Sequence, residues 1–224
     1  RFTDAVVGRR SLAVAGRRVQ VQCAPISIDT AAYQSLVSTP RVRQRAVELR
    51  EEIGHNRRVL LGADRLDYTK GIDVRLLAFE NLLEQRPELA EQAVFVQLAS
   101  PSREPIGDYE AMRARVEQLV GRINGSRGAA HTVPVHYVYG NVPTEDLVAY
   151  YVLADVMCVT PLADGMNLVA KEYIACRPAD EGVLVLSEFA GAAAELEGAL
   201  LVNPYDLDGL ASTMAAALEM RPGE

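Results

Sequence analysis

Residues 160–172, TPLADGMNLVAKE, decide how the rest of the chain is interpreted. They follow the apolar run 155–159, which predicts a buried strand, and their second half has the apolar spacing of a helix. The order strand, loop, helix directs the free N–H groups of the helix start towards the strand's carboxyl end, which suits a phosphate. Asn167 is a candidate N-cap, Asp164 can accept hydrogen bonds from hydroxyls, and Glu172 can bind a vicinal diol. An ordinary loop with a helix cap explains the same residues, so both interpretations stay open at this point.

Short apolar runs alternate with helical patterns on both sides of this stretch. The predicted strands are 59–63, 94–99, 133–140, 155–160, 183–186 and 200–202, and the predicted helices are 31–37, 40–53, 72–85, 106–124, 144–153, 168–177 and 207–218. This alternation is typical of an α/β protein with a doubly wound parallel sheet.

The first residues predict a different arrangement. Residues 11–14 and 19–28 predict two strands joined by a Gly-containing turn, a β-hairpin that is marginal by itself in water. Residues 1–8 have the pattern of the end of a helix. The chain is therefore expected to begin as part of something larger.

Composition excludes several classes of protein. The chain has 224 residues, of which 6% are aromatic and none is Trp, which disfavours a carbohydrate-binding module built on exposed indoles. No apolar run approaches the ~18 residues needed to span a bilayer, so no membrane partner is expected. The cysteines, Cys23, Cys158 and Cys176, are odd in number and widely spaced, which favours reduced core residues of a cytoplasmic protein.

The charge is distributed unevenly. Residues 1–58 carry eleven arginines against five acids, or +6, whereas residues 59–224 carry twelve basic residues against twenty-five acids, or −13. The acidic part lacks interleaved basic and aromatic residues, so nucleic acid is not an expected partner. The only lysines are Lys70 and Lys171, and both lie in stretches suited to phosphate, where one or both sites can require a compact ammonium.

Ligands of doubly wound sheets bind outside the carboxyl ends of the strands, and three further loops lie there. The loop 64–71 contains Arg65 and Lys70, which can neutralise a diphosphate, although a surface salt-bridge cluster explains them equally well. Arg103 follows the next strand and is a candidate to bind an anionic group of a substrate. The loop 139–143 offers backbone groups only.

Other chemistries lack support. The three histidines are far apart and have no Cys or carboxylate at ligand spacing, which disfavours a metal site. Asp206 and Asp208 form an Asp-x-Asp sequence, found at the metal-diphosphate site of some sugar transferases, but their place before a helix favours a cap.

Five motifs taken together resemble the trehalose-phosphate synthases, retaining glucosyltransferases of the two-domain B-type fold. In chain order they are ADRLDYTKG, SPSRE, TPLADGMNLVAKEY, VLVLSEFAGAAAEL and LVNPYD. Each motif alone has modest specificity, whereas the set in this order and spacing is very specific. The resemblance implies a Rossmann-like, nucleotide-sugar-binding half over residues 29–224, with residues 1–28 as the end of the acceptor-side half and with final helices missing after residue 224.

The resemblance also implies roles for individual residues. Arg65 and Lys70 would hold the donor diphosphate and stabilise the leaving group, Asp164 would bind hydroxyls of the donor glucose, and Arg103 would bind the phosphate of glucose 6-phosphate. The implied donor-nucleotide site consists of Arg65, Lys70, Val142, Leu147, Met166, Asn167, Leu168, Val169 and Glu172. Neither a metal nor another cofactor is implied.

The expected reaction is transfer of glucose, with retention, from UDP-glucose or another NDP-glucose to glucose 6-phosphate. A full-length enzyme of this kind is compatible with a homo-oligomer. Because the acceptor-side half is absent, the chain is expected to bind nucleotide without turnover. A glucosylglycerol-phosphate synthase or another related transferase is an alternative, and a sensor domain that only binds sugar nucleotides is a second.

Overall fold

The computed structural model describes residues 6–8, 11–14, 16–101, 106–128, 132–177 and 181–221. Its main feature is a six-stranded parallel sheet. The strands are β4 (Arg58–Arg65), β5 (Ala93–Ser100), β6 (Val135–Tyr139), β7 (Val156–Val159), β8 (Val183–Ser187) and β9 (Leu200–Val202). Their order across the sheet is β6-β5-β4-β7-β8-β9. The predicted doubly wound α/β fold is therefore confirmed.

Helices cover both faces of the sheet. One face packs against α3 (Ile72–Gln85), α5 (Ile106–Arg127) and α8 (Leu207–Glu219), and the other against α1 (Thr30–Val37), α2 (Pro40–Ile53), α6 (Thr144–Leu153) and α7 (Leu168–Cys176). A short helix, α4 (Leu89–Gln92), precedes β5. Because successive strand residues point to opposite faces, Leu60 belongs to the first core and Leu61 to the second. Both faces bury apolar side chains, which explains the continuous apolar runs in the sequence.

The N-terminal residues form a small antiparallel sheet of β1 (Val6–Gly8), β2 (Ser11–Val14) and β3 (Arg17–Gln20). The predicted hairpin is present as β2 and β3, but its second strand covers only Arg17–Gln20, so the prediction of a strand over residues 19–28 was wrong beyond Gln20. The prediction of a helix end over residues 1–8 was wrong for Val6–Gly8, which pairs with β2, and residues 1–5 lie outside the described residues. The β-branched pair Val6 and Val7 favours a strand.

The two predicted helix caps, Asn167 and Asp206, are confirmed. Asp206 Oδ1 accepts a hydrogen bond from the Gly209 amide at 3.0 Å, so the Asp-x-Asp sequence caps α8.

Of the three cysteines, Cys158 and Cys176 are buried as free thiols, but Cys23 is exposed, so its expected place in a core was wrong. Among the residues described, none of the helices has the length and apolar character needed to cross a membrane.

The strand order determines where a ligand can bind. Counted within the parallel sheet alone, the order is 3-2-1-4-5-6, and the direction of winding reverses between β4 and β7. The loops after these two strands leave in opposite directions and open a crevice at the carboxyl edge of the sheet.

Candidate functional site

Two adjoining cavities occupy this crevice, with volumes of about 300 and about 270 Å³. They share Ala63, Asp64, Arg65 and Val169, so they form one cleft. The first continues past β5 and β6 along Leu98, Ser100, Gly140, Asn141, Val142, Leu147 and Tyr151. The second continues past the loop before α7 along Lys70, Asp164, Met166, Asn167 and Leu168. We refer to these two parts as the apolar arm and the polar arm of the cleft.

The loop after β4 is folded tightly, and this places Lys70. Asp67 Oδ1 accepts hydrogen bonds from the amide and the hydroxyl of Thr69, both at 2.9 Å, and residues 68–70 form a 3-10 turn. Gly71 follows with φ 61°, and a Cβ there would lie 2.8 Å from the Thr160 carbonyl oxygen. The turn therefore requires glycine, both for its left-handed backbone and for its close approach to the loop after β7.

The central contact of the polar arm joins the two loops. Lys70 Nζ donates a hydrogen bond to Asp164 Oδ2 at 2.6 Å, and their side chains are only 17% and 14% exposed. Burial acts to raise the pKa of Asp164, but hydrogen bonds from Lys70, the Met166 amide and Asn167 outweigh it and hold that pKa below its usual range. The Asp164 carboxylate is therefore charged in the free site.

Asn167 fixes the start of α7. It has φ 72°, outside the usual region for a non-glycine residue, and its Oδ1 accepts the Ala170 amide at 3.1 Å as the N-cap. Its Nδ2 donates to Asp164 Oδ2 at 3.1 Å. This strained conformation is held from both sides, and strain of this kind is concentrated at functional sites. The helix N-terminus, with its partial positive charge, thereby borders the cleft.

Glu172 lies one turn further along α7, next to two tyrosines. Tyr151 Oη donates to Glu172 Oε2 at 2.9 Å, and Tyr33 of α1 lies near the same carboxylate. Burial, together with the charge and hydrogen bonding of Glu172, raises the pKa of both tyrosines, so both remain hydroxyl donors at neutral pH. Tyr151 lines the apolar arm, which connects the carboxylate to the cleft.

Arg65 lies at the junction of the two arms. Its side chain is 53% exposed, and its contact with Asp67 is long, at 3.9 Å from Nη2 to Oδ2. The guanidinium is thus not committed to a close partner in its own loop. Arg65, Lys70 and the start of α7 together present positive charge to one cleft, an arrangement that binds an anion with several oxygens.

The structure brings most of the predicted site residues together. Nine of them line the cleft: Arg65, Lys70, Val142, Leu147, Asp164, Met166, Asn167, Leu168 and Val169. Glu172 lies behind the wall that Tyr151 forms, and Arg103 lies outside the described residues. Arg65 and Glu172 therefore lie at the same edge of the sheet, which a single nucleotide requires.

Of the two lysines, one or both of which were candidates for a phosphate site, Lys70 lines the cleft and Lys171 does not. Lys171 is 8% exposed, and its Nζ donates to Glu195 Oε2 at 2.8 Å and to the Ile26 carbonyl at 3.1 Å. It anchors the segment before α1 to α7, on a helix face away from the cleft. Within the described ranges, no group of three or more His, Cys, Asp or Glu side chains is arranged to hold a metal ion.

Sheet order and cleft define the class of protein: an α/β domain of the Rossmann type, with a cleft at its topological switch point. Residues 2–224 match the family described as Glycosyltransferase family 20. The chain belongs to this family.

Relatives and solved structures agree with this assignment. The trehalose-6-phosphate synthase of Mycolicibacterium gilvum is 55% identical over 93% of this chain and 41% of its own length, and that of Mycolicibacterium smegmatis is 51% identical over 100% and 43%. A structure of the trehalose-6-phosphate protein from E. coli bound with UDP-2-fluoro glucose has a TM-score of 0.90 and 38% identity, covering 98% of this chain and 49% of that one. A UDP-forming α,α-trehalose-phosphate synthase from Burkholderia xenovorans in complex with glucose-6-phosphate has a TM-score of 0.89 and 38% identity, over 95% and 47%. The chain thus spans less than half the length of these relatives.

Proposed function

We propose that this chain is the donor-binding half of a cytoplasmic trehalose-6-phosphate synthase, which transfers glucose with retention from UDP-glucose to glucose 6-phosphate. Family membership and the names of the relatives support the reaction. In this proposal residues 29–224 form the donor domain, and residues 1–28 belong to the acceptor-side half. The free buried thiols of Cys158 and Cys176 are in keeping with a reducing compartment.

The observation that carries the proposal is the convergence of Arg65, Lys70 and the start of α7 on one cleft. A diphosphate has two adjacent anionic groups, and a guanidinium and an ammonium that line the same cleft can neutralise both. As the sugar leaves, negative charge grows on the terminal phosphate, where Lys70 and Arg65 stabilise it most strongly. In this family a donor phosphate oxygen removes the proton of the acceptor hydroxyl, so the protein needs no nucleophile of its own.

The two arms of the cleft separate the parts of a nucleotide sugar. The apolar arm, with Val142, Leu147 and Val169 in its wall, suits a base, and Glu172 behind Tyr151 suits the hydroxyls of a ribose. The polar arm suits the sugar, with Asp164 accepting hydrogen bonds from its hydroxyls. The amides of Met166, Asn167 and Leu168 would line the diphosphate, and Arg103 would bind the phosphate of the acceptor.

Calorimetric titration of the chain with UDP and UDP-glucose tests the proposal. We expect binding to both and no glucose transfer when glucose 6-phosphate is added. Arg65→Gln should weaken UDP binding about 10- to 100-fold, the loss of one or more charge-assisted hydrogen bonds. Arg86→Gln is the matched control, because Arg86 pairs with Glu88 and Glu219 at the opposite edge of the sheet. A folded chain that gives no heat with either ligand, or equal effects of the two variants, would contradict the proposal.

A further inference from the structure

Arg75 is an arginine in the middle of an apolar helix face. It lies in α3 between Ile72 and Phe79, at helical spacing from both, and it is 0% exposed. Burying a guanidinium is costly unless its donors are satisfied, and an apolar side chain at such a position often serves stability as well or better. Its presence therefore calls for an explanation other than packing.

The partners of Arg75 come from several different elements. Nη1 donates to Asp64 Oδ2 at 2.7 Å, near the end of β4, and to Gln97 Oε1 at 3.1 Å in β5. Nε donates to Thr160 Oγ1 at 2.9 Å, directly after β7, and Nη2 to the Lys70 carbonyl at 3.3 Å. One planar side chain thus connects two neighbouring strands with both loops that border the polar arm.

The sheet is shaped to admit this side chain. Gly62 in β4 faces it, and a Cβ at that position would overlap Arg75 Nη1 and Gln97 Oε1. Gln97 and Thr160 are both 0% exposed, so these two partners of Arg75 lie beneath the cleft, whereas Asp64 lines it. The guanidinium does not line the cleft, and its influence on a ligand must pass through the loops that it holds.

We propose that Arg75 is a positioning residue: it holds the loop 66–71 and the loop 160–167 at the separation that lets Lys70 and the start of α7 face one diphosphate, and it thereby sets the affinity of the cleft for that group. The Lys70–Asp164 contact reports this separation in the free chain and does not itself add affinity. The proposal rests on the proposed function for its ligand. The geometry of the Lys70–Asp164 pair can be measured without any ligand, so the role of Arg75 and the proposed function can be refuted separately.

The chain itself offers a spectroscopic probe, because Lys70 and Lys171 are its only lysines. Labelling with ¹³C at the lysine ε position gives two signals, one from the cleft and one from the anchor at Glu195, which serves as an internal control. An Asp164→Asn chain, in which the pair is broken directly, provides the reference position for a released Lys70.

The principal variant is Arg75→Met/Asp64→Asn, in which both buried charges are removed together so that no carboxylate is left unpaired. Asp64→Asn alone is its control, since it keeps the bonds of Arg75 to Thr160 and to the Lys70 carbonyl. In the double variant we expect the Lys70 signal to move towards the Asp164→Asn reference, the Lys171 signal to stay, and UDP affinity to fall about tenfold relative to the control.

Thr160→Val is a milder variant, because it keeps every charge and removes only the hydroxyl that accepts from Arg75 Nε. We expect a shift of the Lys70 signal in the same direction and a loss of UDP affinity of about threefold. If the double variant does not fold, this variant decides the matter. An unmoved Lys70 signal in the folded variants, with UDP affinity equal to that of the control, overturns the proposal and leaves Arg75 a purely structural role. If the unmodified chain does not bind UDP, the proposed function fails, and the Lys70 signal still decides the role of Arg75.

Discussion

Asp164→Asn should make the chain bind UDP more tightly, although Asp164 is part of the site. In the free structure the carboxylate already holds Lys70 at 2.6 Å, so a diphosphate must compete with it for the ammonium. Asparagine has nearly the same shape and can keep one oxygen towards the Met166 amide, but it carries no charge. Lys70 is then free for the phosphates, and a negative charge next to them is removed.

The burial of the pair sets the size of the effect. Exposed ion pairs contribute about 0.2–1 kcal/mol, and hydrogen bonds to charged groups about 1.5–3 kcal/mol. With side chains 17% and 14% exposed, the Lys70–Asp164 pair lies between a surface pair and a fully buried one. If most of that interaction is recovered by the diphosphate, UDP gains about 1–2 kcal/mol, which corresponds to about 5- to 30-fold in Kd.

UDP-glucose should gain less than UDP. In the proposed complex Asp164 accepts hydrogen bonds from hydroxyls of the glucose, and asparagine replaces one of these acceptors with a donor. The ratio of the two dissociation constants therefore changes in favour of UDP, which separates the competition for Lys70 from recognition of the sugar.

Isothermal titration calorimetry with both ligands measures these effects. Glu195→Gln is the matched control, because it removes the carboxylate partner of the other lysine, Lys171, at 2.8 Å and outside the cleft. It should leave both affinities unchanged, and Lys70→Met should weaken UDP binding. If Asp164→Asn weakens UDP binding as much as Lys70→Met does, while thermal unfolding shows it folded, then Asp164 does not compete for Lys70 and the reasoning is wrong.

Three further predictions concern the surroundings of the cleft. Tyr151→Phe removes the hydrogen bond to Glu172 and should weaken UDP binding about 2- to 10-fold by calorimetry, with a small change in melting temperature. The pKa of Asp164 is lowered on folding, so its contribution to stability is present above its unfolded pKa and is lost as the pH falls; urea unfolding of Asp164→Asn should therefore depend less on pH between neutral and acidic conditions than that of the unmodified chain. Gly62→Ala places a Cβ against Arg75 and should reduce the free energy of unfolding by about 1–3 kcal/mol, measured in denaturant.

The α/β part of the fold was predictable because its elements carry strong local patterns. The predicted helices 72–85 and 144–153 and the strand 200–202 have the observed bounds. Short apolar runs between helical patterns leave few alternatives to a parallel sheet covered on both faces. Weak patterns were less informative. Val6–Gly8 is a strand only because it pairs with β2, which comes later in the chain.

The site was predictable in its composition but not in its connections. Arg65 ends a strand, Lys70 and Asp164 follow strands, and all three carry the charges that a diphosphate and a sugar require, which is local information. The structural role of Lys171 could not be predicted from its neighbours in the sequence, because its partners Glu195 and the Ile26 carbonyl come from distant parts of the chain. The same limit hid Tyr151, which resembles any aromatic residue on the apolar face of a helix.

Arg75 was missed, although the sequence contains a signal for it. An arginine at core spacing between Ile72 and Phe79, and a glutamine at position 97 inside the apolar run 94–99, both break the pattern of the element that contains them. Two polar residues that are each misplaced locally are candidates for partners of each other, and the structure joins them.

The distance between two loops depends on strand order, which no single stretch of the chain specifies. Lys70 and Asp164 are 94 residues apart, and the general rule for parallel sheets places both at the carboxyl edge without saying how close they are. They meet because β4 pairs directly with β7, through Leu60 with Val156 and Leu61 with Met157. A single strand inserted between them would separate the loops by about another 5 Å and break the contact. Arg75 can bond to both loops only because β4 and β7 are neighbours. A charged residue at a core position of its helix is therefore one of the few local features of the sequence that indicate the strand order.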